Sequence, residues 1–64
     1  MTGRVVAFDE RRGVGEVESD GDRYPFHCTA IADGSRSIKV GTEVEFAVAP
    51  GAAGAWEAAA IERR

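Results

Sequence analysis

The chain is poor in the residues that staple, ligate and stack. Cys28 is its one cysteine among 64 residues, so no intrachain disulfide forms. His27 is its one histidine, and one Cys with one His does not fill a tetrahedral metal site. No metal and no other cofactor is expected. Aromatics make up 8% of the residues, which leaves little surface for stacking. No apolar run is long enough for a signal peptide or a membrane span. The expected setting is therefore soluble and reducing, the cytoplasm, with no membrane partner. Acidic residues outnumber Lys and Arg by 11 to 8, and the net charge of −3 argues against a strong general polyanion binder. A local basic face is compatible with that total.

What is present is a short-period apolar pattern over a single small domain, residues 1–64, with a thin core. Arg4-Val5-Val6-Ala7-Phe8 is β-branched and bounded by Gly3 and the charged turn Asp9-Glu10-Arg11-Arg12. Val14 to Ser19 alternates outward Val14, Glu16 and Glu18 with inward Gly15 and Val17. Asp20-Gly21 marks a tight hairpin turn. Tyr24-Pro25-Phe26-His27-Cys28 reads as the third strand, an edge or bulged one because of Pro25. Thr29 to Gly41, with Asp33-Gly34-Ser35, reads as an irregular loop holding at most one short helical turn. In Glu43-Val44-Glu45-Phe46-Ala47-Val48 the apolar residues point inward and the glutamates outward. Pro50-Gly51-Ala52-Ala53-Gly54 reads as a flexible hairpin connection.

The segment Ala55 to Arg64 is ambiguous. Its composition favours a helix, but ten residues make a marginal one. After four strands and a Gly-rich turn it is read as a fifth strand, with a C-terminal helix as the alternative. On that strand Trp56 is expected to point outward, and Ala59 and Ile61 inward. Five short antiparallel strands favour a closed or nearly closed barrel, an all-β fold that hides its edges.

Catalytic patterns are weak. His27 and Cys28 are adjacent, and on a strand adjacent side chains point to opposite faces, so no shared proton is expected. Gly13-x-Gly15 lacks a third glycine and a strand–turn–helix unit, and no Lys or Ser/Thr follows Pro50 to Gly54 to hold phosphates. The chain is not read as an enzyme, and no catalytic residue is expected.

From Gly3 to Ile61 the sequence resembles the bacterial cold-shock protein family. Gly3-Arg4-Val5-Val6-Ala7-Phe8-Asp9 is similar to the family's Gly-x-Val-Lys-Trp-Phe-Asn. Arg12-Gly13-Val14-Gly15-Glu16-Val17 aligns with its Lys-Gly-Phe-Gly-Phe-Ile motif, and Tyr24-Pro25-Phe26-His27-Cys28 with Val-Phe-Val-His-Phe, followed by a match at Thr29-Ala30-Ile31. The run from Arg36-Ser37-Ile38 through Gly41 and Val44 to Phe46 is similar to Arg-Ser-Leu-x-x-Gly-x-x-Val-x-Phe. The resemblance implies a five-stranded antiparallel OB-fold barrel that binds single-stranded RNA or DNA on its second and third strands. Such sites stack bases on exposed aromatics while basic groups follow the backbone.

Position by position, the chain departs from the family at the stacking residues. The family's Trp is Ala7; the two Phe of the first motif are Val14 and Glu16; those of the second are Pro25 and Cys28; a further loop Phe is Ser35. The lysine of the first strand is Val6. Each stacked base contributes roughly 1–3 kcal/mol, so losing several platforms weakens binding by on the order of a thousandfold. Glu16 adds repulsion toward phosphate. Weak binding is expected through Phe8, Arg12, His27 and Trp56, with Arg4, Val14 and Arg36 as further contacts and Arg11 and Arg23 on the rim. Arginine also stacks, which offsets part of the loss. The alternative is an OB-fold interaction module, in which exposed Val6, Val14, Pro25 and Trp56 form an apolar patch for a protein partner or self-association.

Overall fold

In the computed structural model, which describes residues 1–51 and 54–64, five antiparallel strands form one sheet. They are β1 (Thr2–Asp9), β2 (Val14–Ser19), β3 (Asp22–His27), β4 (Glu43–Pro50) and β5 (Trp56–Arg63), in the spatial order β3-β2-β1-β4-β5. The sheet curls until its two edges, β3 and β5, approach each other. A short 3₁₀ turn, Cys28–Ala30, follows β3, and Ile31 then makes an isolated parallel bridge to Ile61 on β5. The Ala32 N–H donates to the Ile61 carbonyl at 2.8 Å, so the chain after β3 helps to seal the gap. The expected OB-type barrel is the architecture found.

The turns form where the backbone chemistry allows them. Asp20 and Gly21 take φ of 52° and 83°, the pair of positive angles that a two-residue hairpin turn of the primed type requires. Pro25 lies on the edge strand and pairs with Glu16. Counting the antiparallel alternation from the turn-closing pair Ser19–Asp22 puts it at a non-hydrogen-bonded site, so its missing N–H faces the open edge. The third strand ends one residue earlier than its apolar pattern suggests, because Cys28 begins the 3₁₀ turn. The β4–β5 connection, expected from Pro50 to Gly54, includes residues 52 and 53, which lie outside the described residues.

The C-terminal segment is a strand. Pairing along β4 and burial of Ala58 and Ile61 outweigh its helix propensity. The core comprises Val5, Val17, Phe26, Ile31, Ile38, Val44, Phe46, Ala58 and Ile61. Ile31 and Ile38 come from the irregular loop, which therefore caps the barrel as well as crossing it.

Two bulges change which residues face inward. In β1, Val5 pairs with Val17 and Ala7 with Glu16, so Val6 is the extra residue. Beyond it Phe8 turns in and Ala7 turns out. Val6 itself is half-buried, where it was expected to be exposed. In β5, Glu62 pairs with Glu45 and Ala59 with Ala47, so Ala60 and Ile61 together oppose Phe46. Ala60 has a φ of 50°, the left-handed conformation of a bulge position that usually holds glycine. This bulge corrects the expected parity. Ala58, not Ala59, is buried with Ile61, while Trp56 remains exposed.

Candidate functional site

The outward side chains of the first three strands stand in rows, set by strand register. Ala7, Glu16 and Pro25 form one row across β1, β2 and β3, and Asp9, Val14 and His27 form the next. Between them runs the inward row of Phe8, Gly15 and Phe26. The rings of Phe8 and Phe26 stack at 6.0 Å between centroids and 15° between planes. They can close over Gly15 because it has no side chain. A Cβ there would lie 2.5 Å from the Ala7 carbonyl oxygen, 2.7 Å from Phe26 Cζ and 2.9 Å from Phe8 Cδ1. The result is an open hollow of about 580 Å³ lined by both rows, the two Phe rings and Glu57 of β5. That volume lies within the roughly 300–1,000 Å³ of small-molecule sites.

The preceding turn is tightly built. Asp9 Oδ1 accepts from the N–H groups of Arg11 and Arg12 at 3.0 and 3.1 Å, and Gly13, at a φ of 69°, donates to the Asp9 carbonyl. The Gly13 carbonyl in turn accepts from the Cys28 N–H at 2.7 Å, which ties this turn to the end of β3. Arg12 therefore has a fixed backbone and an exposed side chain.

His27 is fixed as well. Its Nδ1 accepts from the Thr29 N–H at 3.2 Å and lies 3.0 Å from the Thr29 hydroxyl. The neutral ring then carries its proton on Nε2. The Cys28 thiol lies 3.9 Å from the same Nδ1, which corrects the expectation that the two side chains diverge. Cys28 has left the strand for the 3₁₀ turn, where the two-face alternation no longer applies. Nδ1 is already engaged by Thr29, and the sulfur contact is long.

Charges frame the face. Arg23 on β3 contacts Glu16 at 3.4 Å and Glu18 at 4.0 Å, offsetting the glutamate in the middle of the hollow. Arg4 pairs with Glu43 at 3.1 Å, beside Glu18 and Arg64 in a separate depression. Arg36 is exposed on the loop before β4, with a φ of 61°. Trp56 is 59% exposed and lines a different hollow, with Met1, Tyr24 and Val48.

Of the residues proposed from sequence, the fold gathers Phe8, Val14 and His27 in one hollow. Arg12 lies in the turn before β2 and, like Arg4, Arg36 and Trp56, does not line it. Asp9, Phe26 and Glu57 line it too, and sequence reasoning proposed none of them as site residues. Glu57 takes its side from the bulge at Ala60, and a left-handed alanine leaves no mark in the sequence.

No protein-family model matches the sequence. It is similar to cold shock-like protein CspC of Bacillus cereus, with 43% identity over 56 residues covering 84% of this chain and 86% of the relative. A second Bacillus cereus protein of that name matches to the same extent.

Proposed function

Since this chain belongs to the cold-shock protein family, we propose that it binds single-stranded RNA or DNA, weakly, on the outer face of β1, β2 and β3. The hollow that joins Phe8, Val14 and His27 on those strands carries this reading. Phe8 and His27 line it, the latter as an imidazole fixed by Thr29, and Arg12 supplies a cation from the turn before β2. Arg23 and Arg11 are rim cations. Arg4, Arg36 and Trp56 would touch only a strand that runs past the hollow. Stacking surface is what the face lacks, because Ala7, Glu16 and Pro25 form its central row. Affinity is correspondingly low and salt-dependent. The role is binding, not catalysis. A cytoplasmic location suits the free thiol of Cys28.

An NMR titration with short oligopyrimidines at low salt tests the proposal. Amide shifts are expected on Val14 to Ser19 and Asp22 to His27. No shifts there at millimolar ligand would overturn it.

One observation favours a second reading. Trp56, Met1, Tyr24 and Val48 form an apolar hollow away from the proposed nucleic-acid face, with Trp56 and Met1 both exposed. As an interaction module, the domain would bind a protein partner or itself there. Sedimentation that depends on concentration, without any response to oligonucleotides, is the result that reading requires.

A further inference from the structure

We propose that Glu16 makes this face select cytosine over uracil and thymine, by accepting a hydrogen bond from the base's exocyclic amino group. The inference rests on the nucleic-acid reading above and names the pyrimidine that reading leaves open. Glu16 stands at the centre of the outward row, flanked by Ala7 on β1 and Pro25 on β3. Neither neighbour offers a side-chain polar group, and Pro25 has no N–H. A base lying across this row therefore meets the Glu16 carboxylate, with the Arg23 guanidinium beside its Oε1.

The carboxylate has a cation beside it. Arg23 reaches Glu16 Oε1 at 3.4 Å, an exposed contact that offsets part of the charge that would repel phosphate. An ionised carboxylate has about four acceptor sites and no donor, so one long contact to Arg23 leaves the others for a ligand. Glu57 and Asp9 line the same hollow and are acceptors too. The Nε2–H of neutral His27 is its contrasting donor.

Cytosine and uracil rings have nearly the same size and stack alike, so the groups on their edges decide between them. Cytosine presents an amino donor where uracil and thymine present a carbonyl acceptor, and Glu or Asp pairs with the cytosine amino group. A carbonyl at that position faces the carboxylate acceptor to acceptor, and both lose water without a partner. Adenine also has an amino group, but ring nitrogens that accept lie on both sides of it. Cytosine has a C–H on one side, which the second carboxylate oxygen tolerates.

The test compares hexamers of deoxycytidine and deoxyuridine, at pH 8 and low salt, by NMR titration of the whole domain. Deoxyuridine replaces thymidine so that no methyl group enters the comparison. The cytidine hexamer is expected to bind about tenfold tighter. A hexamer carrying N4,N4-dimethylcytosine, which has lost the donor, is expected to fall to the uridine level. Glu16→Gln should bring the ratio near one, because an amide can turn either a donor or an acceptor to the base.

If the uridine hexamer binds as well or better, with shifts on β2 and β3, base selection by Glu16 is wrong while nucleic-acid binding stands. A ratio that survives dimethylation or Glu16→Gln also overturns it. If neither hexamer binds, both readings fall together. The dimethylated ligand leaves the protein untouched, so the inference stays testable even if the variant does not fold.

Discussion

The inward and outward sides of β1, β2 and β3 are made by the same strands, yet they obey different rules. Inward, Val5, Val17 and Phe26 are buried and the Phe8 ring lies on Phe26, so the barrel keeps a filled core. Outward, Ala7, Glu16 and Pro25 occupy the central row. Core packing is constrained by volume on every side, because a missing ring leaves a cavity. An outer face is constrained only by what it binds. A chain can therefore lose most of a stacking surface and keep its fold, while the reverse loss is fatal.

That contrast predicts its own largest effect. Phe26→Ala removes a ring from the core and is expected to cost about 3–5 kcal/mol. A domain of this size has little more than that to lose, so the variant should be largely unfolded at room temperature. Val14→Ala, one row away and half-buried on the outer side, should cost under about 1 kcal/mol. Urea unfolding monitored by circular dichroism measures both. Equal losses would mean that the outer row is part of the core and that the two sides do not differ.

The inward side is easier to read from the sequence than the outward one. Alternation in β2 and β4 is plain because Val17, Val44 and Phe46 sit two residues from their nearest inward neighbours or from a turn. The Asp20-Gly21 turn is equally legible, since its backbone angles demand those residue types. The bulges are not. Val6 and Ala60 look like ordinary strand residues, and each shifts the phase of its strand. That is why Ala59 is expected in the core where Ala58 is found, and why Glu57 is missed at the hollow. The His27–Cys28 approach is hidden for a related reason, since the alternation rule fails one residue past the end of β3. The capping role of Ile31 and Ile38 depends on long-range closure, which local patterns do not encode.

The second prediction sharpens the comparison by rebuilding the poorer side. The triple substitution Ala7→Trp, Val14→Phe and Glu16→Phe restores three rings on the two outward rows. With roughly 1–3 kcal/mol for each stacked base, affinity for single strands should rise at least about tenfold. Stability should change little, because all three positions face outward or lie at the rim. Fluorescence anisotropy with a labelled oligonucleotide gives the affinity, and the urea midpoint gives the stability. An unchanged affinity would mean that the frame, and not the stacking surface, is what the face lacks.

The smallest expected effect concerns a polar contact on the outer surface. Asp33 Oδ1 accepts from the Ser35 N–H at 2.9 Å, and its other oxygen pairs with Arg63 of β5. Arg63 also donates to the Ser35 hydroxyl at 3.1 Å and the Ser37 carbonyl at 2.7 Å, binding the capping loop to the strand. The Ser35 backbone N–H is the main reason that the Asp33 carboxyl is held below its ordinary value of 3.8, with the Ser35 side chain and Arg63 adding to it. Folding therefore favours the ionised form. Its contribution is complete well above the unfolded value of 3.8 and is lost as pH falls through the lower, folded one. Asp33 is exposed, so water and salt screen most of the interaction. Urea midpoints between about pH 2.5 and 6 should show Asp33→Asn with a flatter acid limb than the parent and slightly lower stability at neutral pH. Superimposable acid limbs would show that this exposed clamp adds nothing, and that stability rests on the inward side alone.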